Sequence, residues 1–196
     1  RYAAFVTSLD DKVGQVLDEL DRLNLAENTL VVFMSDHGHS IEERAFGGGG
    51  SAGPYRGAKG TLWEGGIRVP CILSLPSVIP AGEIRDHWVT SMDLFPTIAE
   101  YVELKLPDHK IDGRSITNLI ADVDASAPHN TWHWELYGKW AVRHKQWKLV
   151  KTDKETFLSD LSIDLSEHNN LAEANPDIVK ALTALHKDWE VESHVQ

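Results

Sequence analysis

Cysteine is nearly absent from this chain: Cys71 stands alone, so no disulfide can close within it. No apolar run approaches the roughly 20 residues that a helix needs to cross a bilayer. Basic residues are also scarce, 19 Lys and Arg against 30 Asp and Glu, for a net charge of -11. Without a basic stripe to replace phosphate counterions, a nucleic-acid partner is excluded. The same acidity repels polyanions at long range, so an anionic substrate requires a locally positive pocket, which Arg44, Arg56, Lys59 and Arg68 could supply. No signal-peptide pattern opens the sequence. What remains is ordinary globular material: 196 residues, 42% hydrophobic and 25% charged, enough for one domain or one domain with a small subdomain.

The stretch from Leu30 to Arg68 carries the chemistry. Leu30 to Met34 is a β-branched apolar run bounded by Glu27-Asn28 and Ser35-Asp36, which predicts a buried strand. Asp36 and His37 then fall just past its C-terminal end, the edge of an α/β sheet where ligands collect. A carboxylate beside an imidazole suits a metal ion or an acid/base pair. Gly47 to Gly50, with Ser51, Ala52 and Gly53, form a loop able to adopt positive φ and to bring backbone close to a ligand. Arg56, Lys59 and Glu64-Gly65-Gly66 follow it.

Ahead of this stretch, Tyr2, Phe5, Val6, Leu9, Val13, Val16, Leu17, Leu20 and Leu23 recur at helical spacing opposite an acidic face. The helix opens at Arg1-Tyr2 without a capping residue, so the chain is expected to start inside or at a helix rather than at a domain edge. After the stretch, Val69 to Leu75 predicts a second buried strand, with Cys71 as a small apolar residue inside it. Thr90-Ser91-Met92-Asp93 forms a capping box opening a helix through Tyr101, with Pro96 in its first turn. A bend at Asp112 to Ser115 precedes a short helix over 116–120, and Pro128-His129-Asn130 marks a boundary. Beyond it, 132–136, 140–143, 147–150 and 157–161 predict an antiparallel meander. A final helix runs from Pro176 to about Val191. The expected division is therefore 1–128 and 129–196. The clustered tryptophans could stack on a sugar, but Trp packed against a small sheet is the commoner arrangement and the one expected here.

Two segments, Ser35-Asp36-His37-Gly38 and Gly57 to Pro70 (GAKGTLWEGGIRVP), resemble the sulfatase family of the alkaline phosphatase-like superfamily, and Asp93-Leu94-Phe95-Pro96-Thr97 is similar to a further family segment. The resemblance covers nearly the whole chain and implies an α/β fold: the C-terminal part of an alkaline phosphatase-like sandwich, followed by a small antiparallel-sheet subdomain and a closing helix. It implies hydrolysis of a sulfuric ester in which a hydrated formylglycine attacks sulfur, the alcohol departs, and the aldehyde re-forms as sulfate leaves. Carried over by motif position, Asp36 and His37 would ligate a divalent metal, calcium first, and Lys59 would bind the sulfate and favour departure of the alcohol. His39, Arg44 and Arg56 are weaker candidates for the pocket rim, and Glu64 and Arg68 are expected to pair with each other or cap the turn rather than touch substrate. The substrate implied is a sulfated carbohydrate or an aryl sulfate, and the location implied is periplasmic or secreted.

The departure from the family is as informative as the match. The family's formylglycine arises in a C/S-x-P-x-R setting, but Cys71 is followed by Ile72-Leu73-Ser74 and no other position supplies the motif. The nucleophile is therefore expected in a missing N-terminal segment or a partner chain, and the isolated chain is expected to turn over no substrate. Two other readings stay open on the residues alone. One is a phosphatase or phosphonate hydrolase of the same superfamily; the other is a non-catalytic carbohydrate-binding remnant.

Overall fold

The computed structural model describes residues 1–194. The chain divides into two compact units, one of Arg1–Glu19, Phe33–Ile72 and the chain from Thr131 onward, the other of Leu20–Val32 and Leu73–Asn130.

Helix α1 (Tyr2–Arg22) forms where the apolar period predicts, yet none of its residues is buried. Strands β1 (Val31–Met34) and β2 (Cys71–Ser74) make a two-stranded sheet. The buried environment expected for β2 is not found: Cys71 is exposed, as are Ile72 and Ser74. A sheet of two strands buries its side chains only when another layer covers it, and no such layer lies over β2 among the described residues.

The packed core of the first unit is the meander β3 (Thr131–Leu136), β4 (Lys139–His144), β5 (Trp147–Lys151) and β6 (Thr156–Asp160), antiparallel in sequence order. Tyr137 and Gly138, both at positive φ, make the two-residue β3–β4 turn whose twist matches the flanking strands. Alternation along the strands fills two cores. Val142, Leu149 and Leu158 face Leu182 of α5 (Pro176–His194), while Ala141 and Val150 face Leu62 and Trp63 from the segment just after Lys59. The sheet is thus covered on both sides, and one cover is the lysine-bearing loop.

A charge is buried in that second layer. Lys148, fully buried on β5, places Nζ 2.8 Å from Glu64 Oε1 and 3.0 Å from Glu167 Oε1, both carboxylates also buried. Glu64 opens the short helix α2 (Glu64–Ile67), and its backbone N–H donates to Glu167 Oε2 at 2.6 Å. Burial pushes the Glu64 carboxyl up, but the Lys148 ammonium, with Arg143 and Arg68 behind it, wins and holds it below the usual range. At Glu167 burial prevails over the same ammonium and the carboxyl is raised. One cation serves two acids unequally.

At the other side of the sheet, α5 brings His186 against β3 and β4. Its ring stacks on Trp140 with centroids 4.2 Å apart, and its Nδ1 lies 3.3 Å from Nδ1 of His133, which stacks on Trp189. The tryptophans are packed here on imidazoles.

In the second unit, a turn of 3-10 helix at Ser91–Asp93 leads into α3 (Leu94–Tyr101), which packs on α4 (Thr117–Ala121). Asp93 closes the expected capping box by accepting the Thr90 N–H at 2.7 Å. Being wholly buried, it also accepts the Arg114 N–H at 2.8 Å and His129 Nε2–H at 2.6 Å. A fully satisfied buried carboxylate of this kind is scaffold.

Two stability predictions follow from these clusters. Lys148→Met leaves two buried carboxylates without their cation and should cost about 3–5 kcal/mol in urea unfolding, whereas adding Glu64→Gln and Glu167→Gln should recover most of the loss. Burial, then the charge of His186, lowers the His133 pKa from 6.5 to about 4. The unfolded chain therefore binds the extra proton first as pH falls. Stability should be complete above the unfolded value and decline as pH drops toward the folded one, by on the order of 1 kcal/mol after discounting for half-exposure. Urea midpoints in acid and neutral buffer measure this, and His133→Phe should flatten part of the dependence.

Candidate functional site

The loop leaving β1 places Asp36 and His37 at once. His37 Nδ1–H donates to the carbonyl of Gly38 at 2.9 Å, and its Nε2 lies 3.2 Å from Asp36 Oδ2. That separation is an ordinary His–Asp contact, and the two atoms are also donor types that a divalent cation accepts. Asp36 is 81% exposed and His37 38%, so the pair is open to a solute. Among the described residues no group of three or more His, Cys, Asp and Glu is arranged to hold a metal. Two donors, one of them a nitrogen, fall short of the six to eight oxygens that calcium takes.

The lysine loop is stitched to this strand end by backbone. Lys59 N–H donates to the His39 carbonyl at 3.0 Å, Gly38 N–H to Gly66 at 2.9 Å, and Gly65 N–H to Arg56 at 2.7 Å. The fit is glycine-limited. A Cβ on Gly38 would run into the Gly65 carbonyl, and one on Gly65 would sit 2.6 Å from the carbonyl oxygens of Arg56 and Gly57. The glycine run serves a similar end. Gly48 (φ +70°) lies against the Ser40 carbonyl, and a Cβ on Gly50 would be 2.8 Å from that of His39, so the loop folds back onto its own chain.

Among the candidate side chains, Lys59 and Arg44 converge on a residue that sequence reasoning passed over. Lys59 Nζ lies 3.0 Å from Glu42 Oε2, and the Arg44 guanidinium lies 3.1 Å from Glu42 Oε1. Hydrogen bonds from Lys59 and then Arg44 hold the Glu42 carboxyl down to about 2. No local rule ties Glu42 to a lysine seventeen residues on, because a loop closed by backbone bonds makes the meeting. His39 stays within the same loop, its Nδ1 buried and without a hydrogen-bond partner among the described residues. Arg56 is turned elsewhere: its guanidinium stacks 3.6 Å from the Trp63 ring and 4.7 Å from Phe157, and pairs with Glu155 at 3.2 Å. Arg68 pairs with Glu64 at 3.4 Å as expected, although the closer partner of Glu64 is Lys148.

The mixed helix–sheet arrangement, with a closing helix on an antiparallel meander, is that of the alkaline phosphatase-like class, and the crystal structure of the PsFucS1 sulfatase from Pseudoalteromonas sp. shares the fold across 96% of this chain with a TM-score of 0.75. A sulfatase family model matches residues 1–104, and the model for the C-terminal region of N-sulphoglucosamine sulphohydrolase matches 57–193; the chain belongs to the sulfatase family. It is 44% identical over 132 residues to the steryl-sulfatase of Homo sapiens, covering 65% of this chain and 23% of that protein. It is 36% identical over 203 residues to a sulfatase of Formosa agariphila, covering 89% of this chain and 36% of that one. The crystal structure of Ps i-CgsB in complex with k-i-k-neocarrahexaose matches with a TM-score of 0.83 at 28% identity, covering 96% of this chain and 42% of the other. The chain thus spans less than half the length of these relatives.

The glycine contacts generate a test of the shared site. Gly38→Ala should wedge the strand end from the lysine loop, costing about 1–3 kcal/mol by urea unfolding. Exchange of the Lys59 amide hydrogen, bonded to the His39 carbonyl, should quicken with it, whereas Gly14→Ala on exposed α1 should neither destabilise the fold nor speed that exchange.

Proposed function

We propose that this chain is part of a sulfuric ester hydrolase, with Asp36 and His37 as two ligands of a divalent cation, calcium first, and Lys59 as the group that holds the sulfuryl oxygens. The observation that carries the reading is the backbone bond from Lys59 to His39, which ties the lysine to the loop bearing the donor pair. When bound, the cation supplies positive charge to the sulfuryl oxygens. Lys59 adds a positive charge from the chain itself. Its ammonium favours charge developing on the leaving oxygen more than the diffuse charge of the ester itself. The Lys59 side chain is 28% exposed, enough for an anion to reach it.

The nucleophile is left to a formylglycine from outside these residues, because they hold no C/S-x-P-x-R sequence. A missing segment or a partner chain would supply it. The proposed ester is a sulfated carbohydrate or an aryl sulfate, a choice supported by similarity to arylsulfatase D of Homo sapiens and to a structure holding k-i-k-neocarrahexaose.

Binding and turnover separate the parts of this reading. Calorimetry should detect calcium binding that Asp36→Asn and His37→Ala abolish, and sulfate binding that Lys59→Ala abolishes. The 196-residue chain alone should show no multiple turnover of an aryl sulfate with or without calcium, so metal-dependent turnover would refute that part. Parallel binding of a phosphate monoester tighter than of sulfate would favour a phosphatase instead.

A further inference from the structure

We infer that Glu42 is an internal competitor for Lys59, a carboxylate that occupies the ammonium when no sulfate is present and weakens retention of the sulfate product. The inference rests on the reading of Lys59 as the sulfate-holding group. Glu42 Oε2 receives Lys59 Nζ at 3.0 Å, Arg44 Nε at 3.2 Å, Arg44 Nη2 at 3.1 Å and the Ser40 hydroxyl at 3.2 Å. Its other oxygen receives Arg44 Nη2 at 3.1 Å. Two cations therefore share one anion, and the cluster carries a net single positive charge.

The competitor can be displaced. Lys59 is anchored by its backbone, so only the flexible four-carbon stem must swing for the ammonium to change partners. Glu42 is 38% exposed and Arg44 75%, so water or an incoming anion reaches both. Hydrolysis of the ester, ROSO3⁻ + H2O → ROH + SO4²⁻ + H⁺, breaks the S–O bond to the alcohol and turns a monoanion into a dianion. An unopposed Lys59–Arg44 pair would grip the product harder than the substrate. A fixed carboxylate reverses part of that, because its repulsion scales with the charge of the bound anion.

The scaling gives a signature that a merely structural role would not produce. Glu42→Gln should tighten inorganic sulfate roughly 3- to 10-fold at low ionic strength, and methyl sulfate, a monoanion, by only about the square root of that factor. Glu42→Asp, which keeps the charge, should stay near the parent. Titration calorimetry of the full chain with each anion reads these constants, with circular dichroism checking the fold. If Glu42→Gln leaves sulfate affinity unchanged or weakens it while Lys59→Ala still abolishes binding, Glu42 only orients the lysine and the inference is overturned. If Lys59→Ala changes nothing, or no variant binds sulfate at millimolar concentration, the reading of Lys59 falls and the inference falls with it.

Discussion

The buried ammonium of Lys148, held between Glu64 and Glu167, is the interaction on which the first unit depends. Removing three charges from water is costly, and hydrophobic side chains of the same size would stabilise as well or better. What the cluster adds is position. Glu64 begins α2, α2 carries Gly65 and Gly66, and these glycines bond to Arg56 and Gly38. A charge inside the meander core thus sets where the lysine loop meets the end of β1. Leu62 and Trp63, packed on Ala141 and Val150, hold the same loop by apolar contact.

Charge is distributed differently at the candidate site. The core cluster is sealed, whereas the side chains of Asp36, His37, Glu42, Arg44 and Lys59 are all partly exposed to solvent. Backbone bonds and glycine contacts fix where these side chains start, and their ends reach water. That combination suits a site for a small anion and a hydrated cation. On the proposed reading, two cations with one carboxylate between them supply the local positive excess that an acidic chain needs to hold an anion.

Much of this was legible from residue order. The alternation in 132–161 predicts the four-stranded meander, the Thr90–Asp93 box predicts the start of the following helix, and the strand-end position of Asp36 and His37 follows from the apolar run before them. The motifs at 35–38 and 57–70 reach the family directly. Long-range partners were not legible. Lys148 reads as an outward-facing residue in an alternating strand until the sheet is seen to be covered on both faces. Glu42 reads as one of several loop acids, and Arg56 as a rim cation until Trp63 and Phe157 are found around it. Cys71 reads as buried because strand patterns record apolarity, not whether a second layer covers the strand.

Helix α1 shows the same distinction on a larger scale. Phe5 is 76% exposed and Val16 62% on a helix whose period marks one side for contact. Attraction between such ridges near room temperature is entropic, arising from released hydration water, so it strengthens on warming and fades in the cold.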